Sequence, residues 1–270
     1  MDQDFTRTTL GKTGIPVHRL GLSATYRPGK QTIYRALDAD VNCFFAFSID
    51  TQMIGVLREV MRSNREKYVV ATGAYNLLVG YPNFRRTLEK RLRQFRTDYL
   101  DVFLLLGVTK EKHFPERARE ELYRFREEGK VRSVGMSTHN RKFAGKLAAN
   151  GPLDVIMMRY NAAHRGAEQD IFPYLDQHNL GVVSYTATRW TYLLRRPKTW
   201  PKDGRIPTAG MCYRFVLSNP HVDVCMTAPS NLKHFDENLK DIQKGPLDAE
   251  DMEFMRKFGD VVHHTKKWFM

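Results

Sequence analysis

Short β-forming runs alternate with helix-period stretches from one end of the chain to the other, and this alternation restricts the fold more than any other feature. Thr8–Leu10 and Pro16–His18, separated by Gly11-Lys12-Thr13-Gly14, read as a hairpin. Strands are then expected at Leu20–Ala24, Val41–Phe47, Tyr68–Thr72 and Asp101–Leu106, followed by Val131–Ser137, Val155–Tyr160, Gly181–Tyr185 and Asp223–Thr227. Between and after them the spacing predicts helices near Gln31–Asp38, Gln52–Arg62, Asn83–Phe95, Pro115–Glu128 and Arg141–Ala149. Glu168–Gln177, Thr208–Ser218 and Asn231–Ile242 complete the series. In Asn83–Phe95, the apolar Phe84, Leu88, Leu92 and Phe95 fall on one face. Asp101–Leu106 is an apolar strand of the kind buried on both faces. A last helix, Ala249–Phe258, follows Asp248 as its cap, and a His/Lys/aromatic tail ends the sequence.

Eight strand–helix units in about 250 residues match an α/β, (β/α)8 TIM barrel with an amino-terminal β-hairpin and a carboxy-terminal extra helix. An open doubly wound sheet fits them less well. No repeat, low-complexity segment or composition break divides residues 1–270, so a single domain is expected. Chemistry in such a barrel belongs on the loops that follow the strands.

The chain has 43 Lys+Arg against 30 Asp+Glu, a formal net charge of +13. That balance invites a nucleic-acid partner. The charges are dispersed, however, and the densest group (Arg195, Arg196, Lys198, Lys202 and Arg205) lies in a Pro/Trp-containing loop. Neither a Walker-type loop nor an aromatic RNA-binding signature accompanies it, so nucleic-acid binding is not expected. Cys43, Cys212 and Cys225 are odd in number and lack ligand spacing, which argues against a disulfide framework and against a metal site. The opening MDQDFTRTTL lacks the basic-then-apolar order of a secretion signal, and no stretch of about 18 uncharged apolar residues exists. A cytoplasmic protein without a membrane partner is the expectation.

Several strings carry a family resemblance. Arg7-Thr8-Thr9-Leu10-Gly11-Lys12-Thr13-Gly14-Ile15-Pro16-Val17 resembles the amino-terminal hairpin of aldo-keto reductases. Asp98-Tyr99-Leu100-Asp101-Val102-Phe103-Leu104-Leu105 is similar to their fourth barrel strand, and Gly129-Lys130-Val131-Arg132-Ser133-Val134-Gly135-Met136-Ser137 to their fifth. Tyr160-Asn161, Ser184-Tyr185 and Glu237-Asn238 follow in family order. The resemblance implies hydride transfer between NADP(H) or NAD(H) and a small carbonyl or alcohol substrate, served by a Tyr, Lys, Asp and His set. In that set Tyr donates the proton, Lys lowers its pKa, Asp holds Lys and His orients the carbonyl oxygen.

The chain departs from that pattern at each of the four places. Alignment puts Phe45 where the Asp is expected, Asp50 where the Tyr is expected, Gly73 at the Lys and Leu106 at the His. Substitute acid–base groups are then Asp50, Tyr75 and His139. Duller roles stand beside them: Asp50 as a helix cap, Tyr75 as surface packing, His139 as a solvated loop residue.

On the cofactor side, the resemblance implies that Tyr185 stacks on the nicotinamide ring and that Ser137 bonds its carboxamide. Thr138 and Met157 stand where further carboxamide contacts are usual. Ser230, Asn231 and Asn238 would serve the adenine end, where a helix N-terminus suits phosphate, and Arg189 would reach the pyrophosphate. Here too the residues leave alternatives: a strand-end aromatic for Tyr185, a backbone-bonded Ser137, a helix cap for Ser230 and an exposed helical Asn238. Tyr160 and Asn161 read as a structural pair, and His263-His264 as solvated tail. Three functions stay open on the sequence. They are an oxidoreductase with non-standard acid–base groups, a non-redox lyase or isomerase using the emptied pocket, and a pseudoenzyme or ligand-sensing protein, for which the loop Arg195–Arg205 would be the partner surface.

Overall fold

The computed structural model describes residues 4–47, 50–75 and 83–265. Strands β1 (Arg7–Thr9) and β2 (Pro16–His18) form the expected antiparallel hairpin, with Thr8 opposite Val17. The parallel strands then begin with β3 (Leu20–Ser23), β4 (Cys43–Phe45), β5 (Val69–Tyr75) and β6 (Leu100–Val108). They continue with β7 (Val131–Thr138), β8 (Val155–Arg159), β9 (Gly181–Tyr185) and β10 (Val224–Thr227). β10 pairs with β9 on one side and with β3 on the other, which closes the barrel. Outside it lie α1 (Lys30–Asp38), α2 (Thr51–Val60), α3 (Phe84–Phe95), α4 (Glu116–Glu127) and α5 (Arg141–Asn150). The short α6 (Ala167–Asp170), then α7 (Ala209–Leu217), α8 (Leu232–Ile242) and α9 (Ala249–Thr265) complete the ring. No helix among the described residues is long and apolar enough to cross a membrane.

Strand alternation sorts the apolar side chains into two cores. Cys43, Phe45, Val69, Ala71, Val102, Leu104 and Leu106 point into the barrel. Their neighbours Phe44, Val70, Phe103 and Leu105 point outward, under the helices. Leu10, Ile15 and Val17 of the hairpin join the inner core, so the hairpin stoppers the amino-terminal end of the barrel. Gly11 makes that fit possible: its φ is +45°, and a Cβ there would fall on the backbone of Asn179–Gly181.

A polar device repeats fourfold around that same end. Counting barrel strands from β3, each even strand carries at its start a side-chain oxygen that accepts an amide from the odd strand before it or from just ahead of that strand. Asn42 Oδ1 takes the amide of His18 (2.7 Å) and Asp101 Oδ2 that of Val70 (2.9 Å). Asp154 Oδ2 takes that of Val134 (3.0 Å) and Asp223 Oδ2 that of Val182 (2.8 Å). Arginines face the carboxylates. Arg65 and Arg132 bond Asp101, which is 1% exposed, and Arg126 bonds Asp154. Burial pushes the Asp223 carboxyl up to about 6, against its bond from the Val182 amide and the charge of Arg19. We call these four contacts clasps.

Several elements differ from expectation. The helix expected at Glu168–Gln177 is a single α turn followed by a 3-10 turn at Phe172–Tyr174, because Pro173 cannot continue the α hydrogen-bond ladder. α9 continues past Phe258 to Thr265. Gly259, which lowers helix propensity, is there a contact surface, since a Cβ would strike the carbonyl of Ala162. His263 and His264 lie on this last helix and are exposed, as expected, with His263 Nδ1 pairing with the carbonyl of Ala163 at 2.7 Å. Residues 266–270 of the expected tail lie outside the described residues. The basic residues of the loop Arg195–Arg205 are all exposed, and two of them are tied down. Arg196 bonds the carbonyls of Pro201 and Gly204, while Arg205 pairs with Asp251 at 2.7 Å and lies over the Phe254 ring.

Candidate functional site

At the carboxy-terminal end of the strands a cavity of about 1010 Å3 opens into the barrel mouth. The inward alternation that fills the core also supplies its floor. Ser23, Phe45, Leu106, Ser137, Met157, Tyr185 and Met226 come from seven strands and all line it. Phe47 and Tyr75 continue the same alternation just past β4 and at the end of β5, respectively, with ring centroids 5.0 Å apart. Loops add Tyr26, Thr186, Thr188, Trp190 and Thr191, and the helical side adds Thr208, Tyr213, Ser230, His234, Glu237 and Asn238. Among the described lining residues there is no lysine, arginine or aspartate.

The four positions aligned with the family's acid–base set are thus placed as follows. Phe45 and Leu106 face the mouth and are buried. Gly73 faces inward between them, and a Cβ on it would fall on the carbonyl oxygen of Leu104 in the paired strand. Asp50 does not line the cavity. Its Oδ1 accepts the amide of Gln52 at 2.8 Å and caps α2, so its role as a substitute acid is corrected to that of a helix cap.

Tyr75 and His139, by contrast, both line the cavity. Burial raises the Tyr75 phenol above its ordinary pKa, so it holds its proton at neutral pH. Burial and the charge of Arg159 lower His139, which is therefore a neutral imidazole. Tyr185 connects the two sides of the mouth. Its hydroxyl donates to the carbonyl of Thr138 at 3.2 Å and lies 3.3 Å from His139 Nδ1. The rings of His139 and Tyr185 meet edge to face, centroids 5.7 Å apart. Held by these contacts, Tyr185 has a fixed ring and a phenol that burial pushes strongly upward.

At the far rim, α8 begins with its cap at Asn231, whose Oδ1 accepts the amide of His234 at 2.9 Å. Ser230, read as a possible cap, is one residue early and pairs with His234 Nδ1 at 3.0 Å instead. Asn238 is buried rather than exposed and donates to Thr227 Oγ1 at 3.3 Å. Arg189 is displaced from its expected place. It is 1% exposed and does not line the cavity, and its Nη1 donates to the carbonyl of Val262 in α9 at 2.5 Å. The short loop behind it forces Arg189, Trp190 and Thr191 into left-handed backbone, with φ of 49°, 52° and 69°. That turn drives the arginine into the core and swings Trp190 over the mouth. Tyr160 and Asn161 are the structural pair expected of them: Tyr160 donates to Glu168 at 2.6 Å, and Asn161 bonds Thr186 and Ala163.

The sequence reading did not pick out Phe47, Tyr26, Trp190 or Tyr213 as lining residues. Phe47 was detectable, because positions 43, 45 and 47 share one strand face. The others reach the mouth from loops and a helix, for which no periodicity exists.

Comparison with known proteins agrees with this architecture. The Aldo/keto reductase family model matches residues 50–199. The chain is similar to Aldo-keto reductase YhdN of Bacillus subtilis, 23% identical over 209 residues, which are 66% of this chain and 60% of that relative. The match therefore spans less than two thirds of that curated relative. Among solved structures, the holo form of aldo-keto reductase AKR11C1 from Bacillus halodurans superposes with a TM-score of 0.77 at 18% identity, covering 94% of this chain and 96% of the other. An aldo/keto reductase from Klebsiella pneumoniae, in complex with NADP and acetate, gives a TM-score of 0.71 at 21% identity, covering 94% and 95%.

Proposed function

The chain belongs to the aldo/keto reductase family, and on that footing we propose that it is an oxidoreductase. Its nicotinamide dinucleotide, NADP(H) or NAD(H), lies across the mouth from Tyr185 to the start of α8. The observation that carries this reading is the fixed Tyr185 ring, with the Ser137 hydroxyl beside it and the rim of α8 in one cavity. A nicotinamide needs a flat face, its carboxamide a hydrogen-bonding group, and its pyrophosphate amides or hydroxyls. Tyr185, Ser137, and Ser230 with the first-turn amides of α8 ahead of the capped His234 meet those needs. Thr186, Thr188 and Thr191 add hydroxyls along the path between them. Arg189 takes no part. The bound cofactor supplies the hydride. The chain supplies a protonated phenol at Tyr75 and a neutral imidazole at His139 as the groups that can give up or receive the proton of a small carbonyl or alcohol.

Titration with NADPH and with NADH, followed by the fluorescence of Trp190, tests the reading. Saturable quenching in the native chain, lost in Tyr185→Ala, is the expected result. No response at millimolar concentration of either cofactor removes it. A second reading rests on one observation, the lack of lysine and aspartate among the described lining residues. With no cation beside it among the described lining residues, the Tyr75 phenol is a weak acid, and this favours a barrel that binds the cofactor to sense a ligand. Binding without turnover of any aldehyde or ketone in a broad panel would decide for that reading.

A further inference from the structure

We propose that Tyr213 is a binding residue for the adenylate half of the dinucleotide, donating its phenolic hydrogen to an acceptor atom of that half. The identity of the ligand rests on the oxidoreductase reading. The choice of residue rests on a hydrogen-bond relay at the edge of the mouth.

The relay runs in one direction. Asn238 Nδ2 of α8 donates to Thr227 Oγ1 at 3.3 Å, and Thr227 Oγ1 at the end of β10 donates to the Tyr213 hydroxyl at 2.9 Å. All three are buried, with Tyr213 7% exposed. Each group spends a hydrogen on the next, and the chain ends on Tyr213 of α7. Burial holds that phenol protonated, and its own hydrogen has no acceptor among the described residues. A buried donor left unpaired costs free energy that an incoming acceptor restores. Hydrogen bonds in series also polarise one another, which strengthens the last of them. Tyr213 lines the mouth cavity, so the acceptor comes from whatever occupies that space.

The surroundings fit an adenylate. Thr208 and Ala209, the cap and first residue of α7, line the cavity one turn before Tyr213, and the positive end of that helix favours a phosphate. Asn238 and Glu237 line it from α8 and offer oxygen acceptors to a purine amine or ribose hydroxyls. Tyr185 and Ser137, assigned to the nicotinamide, stand outside the relay. The two hydroxyls are also out of character with their elements. Met211, Cys212, Phe215 and Val216 flank Tyr213 in a buried helix, and Cys225 and Met226 precede Thr227. An apolar pair would pack there without leaving a donor unspent.

Adenosine monophosphate and nicotinamide mononucleotide are the probes, titrated calorimetrically into the native chain and two variants. Tyr213→Phe keeps the ring and removes the hydroxyl. It should bind adenosine monophosphate roughly 5- to 10-fold more weakly, with nicotinamide mononucleotide unchanged. Thr227→Val keeps the phenol but not its orientation, and should lose roughly 2- to 4-fold on the adenylate alone. Equal adenylate affinity in Tyr213→Phe, an equal loss for both probes, or no adenylate binding by the native chain at millimolar concentration overturns the proposal. Should Tyr213→Phe fail to fold, Thr227→Val decides by the same criteria. A native chain that binds adenosine monophosphate but neither NADPH nor NADH removes the oxidoreductase reading and leaves the assignment of Tyr213 to be judged by the variants.

Discussion

The two ends of this barrel spend their polar residues differently. At the amino-terminal end, Asp101, Asp154 and Asp223 each accept a strand amide, and arginines face them. At the carboxy-terminal end the cavity is lined by aromatic, methionine and hydroxyl side chains, without lysine, arginine or aspartate among the described residues. Charge at the base is satisfied and fixed, so it holds the barrel together. Apart from Glu237 on the α8 rim, polarity at the mouth is neutral and partly open, so it is available to a ligand. The division matches the general separation of stability and chemistry between the ends of such barrels.

The strongest way to break this contrast is Asp101→Ala. It leaves the Val70 amide unpaired and the Arg65 and Arg132 guanidiniums without their shared buried carboxylate. A loss of about 3–5 kcal/mol in denaturant unfolding is expected. A loss under about 1 kcal/mol would show that the base is not where stability resides. Next comes acid. Burial lowers His18, which sits beneath the barrel, from 6.5 to about 4. A folded pKa below the unfolded one means that its contribution is complete above pH 6.5 and is lost as pH falls toward 4, about 2 kcal/mol of it by pH 5. Asp223, raised to about 6, acts with the opposite sign and gains as pH falls from about 6 toward 3.8. His18→Gln should therefore flatten the acid loss between pH 7 and pH 5, measured as the urea midpoint. An unchanged slope would remove His18 from the account. The smallest effect on stability is expected at the mouth. Tyr75→Phe should change unfolding by less than about 0.5 kcal/mol, yet lower kcat by about 100-fold with any carbonyl substrate that the native protein turns over. Equal turnover would leave His139 as the proton carrier.

How far each end was legible follows from the same physics. Strands announce themselves when both faces are buried, so Asp101–Leu106 stood out as an apolar run. The hairpin was legible from its Gly-Lys-Thr-Gly turn between two short β runs. The clasps were not. Asp101 and Asp223 read simply as first residues of strands, because the amides they hold are 31 and 41 residues away in sequence. At the mouth, Tyr185, Ser137, Tyr75 and His139 were found because each lies at or just past a strand end, where register still governs direction. Arg189 was misplaced because its direction depends on three successive left-handed residues, which nothing in its neighbours' identity encodes. Gly73 shows why the departure at that position is not a simple point change. The strands approach so closely there that any side chain would meet the Leu104 carbonyl, and lysine could return only if two strands moved apart.

Three clasps join an odd barrel strand to its even successor, and the fourth joins β4 to His18 just ahead of β3, so the cylinder is tied in quarters. A chain severed at Gly129, between the fourth strand and the fifth, would leave two fragments, each carrying both of its own ties. A cut between β7 and β8 would instead part Val134 from Asp154. The stoppered base thus marks in advance where this barrel can be divided into pieces that find one another again.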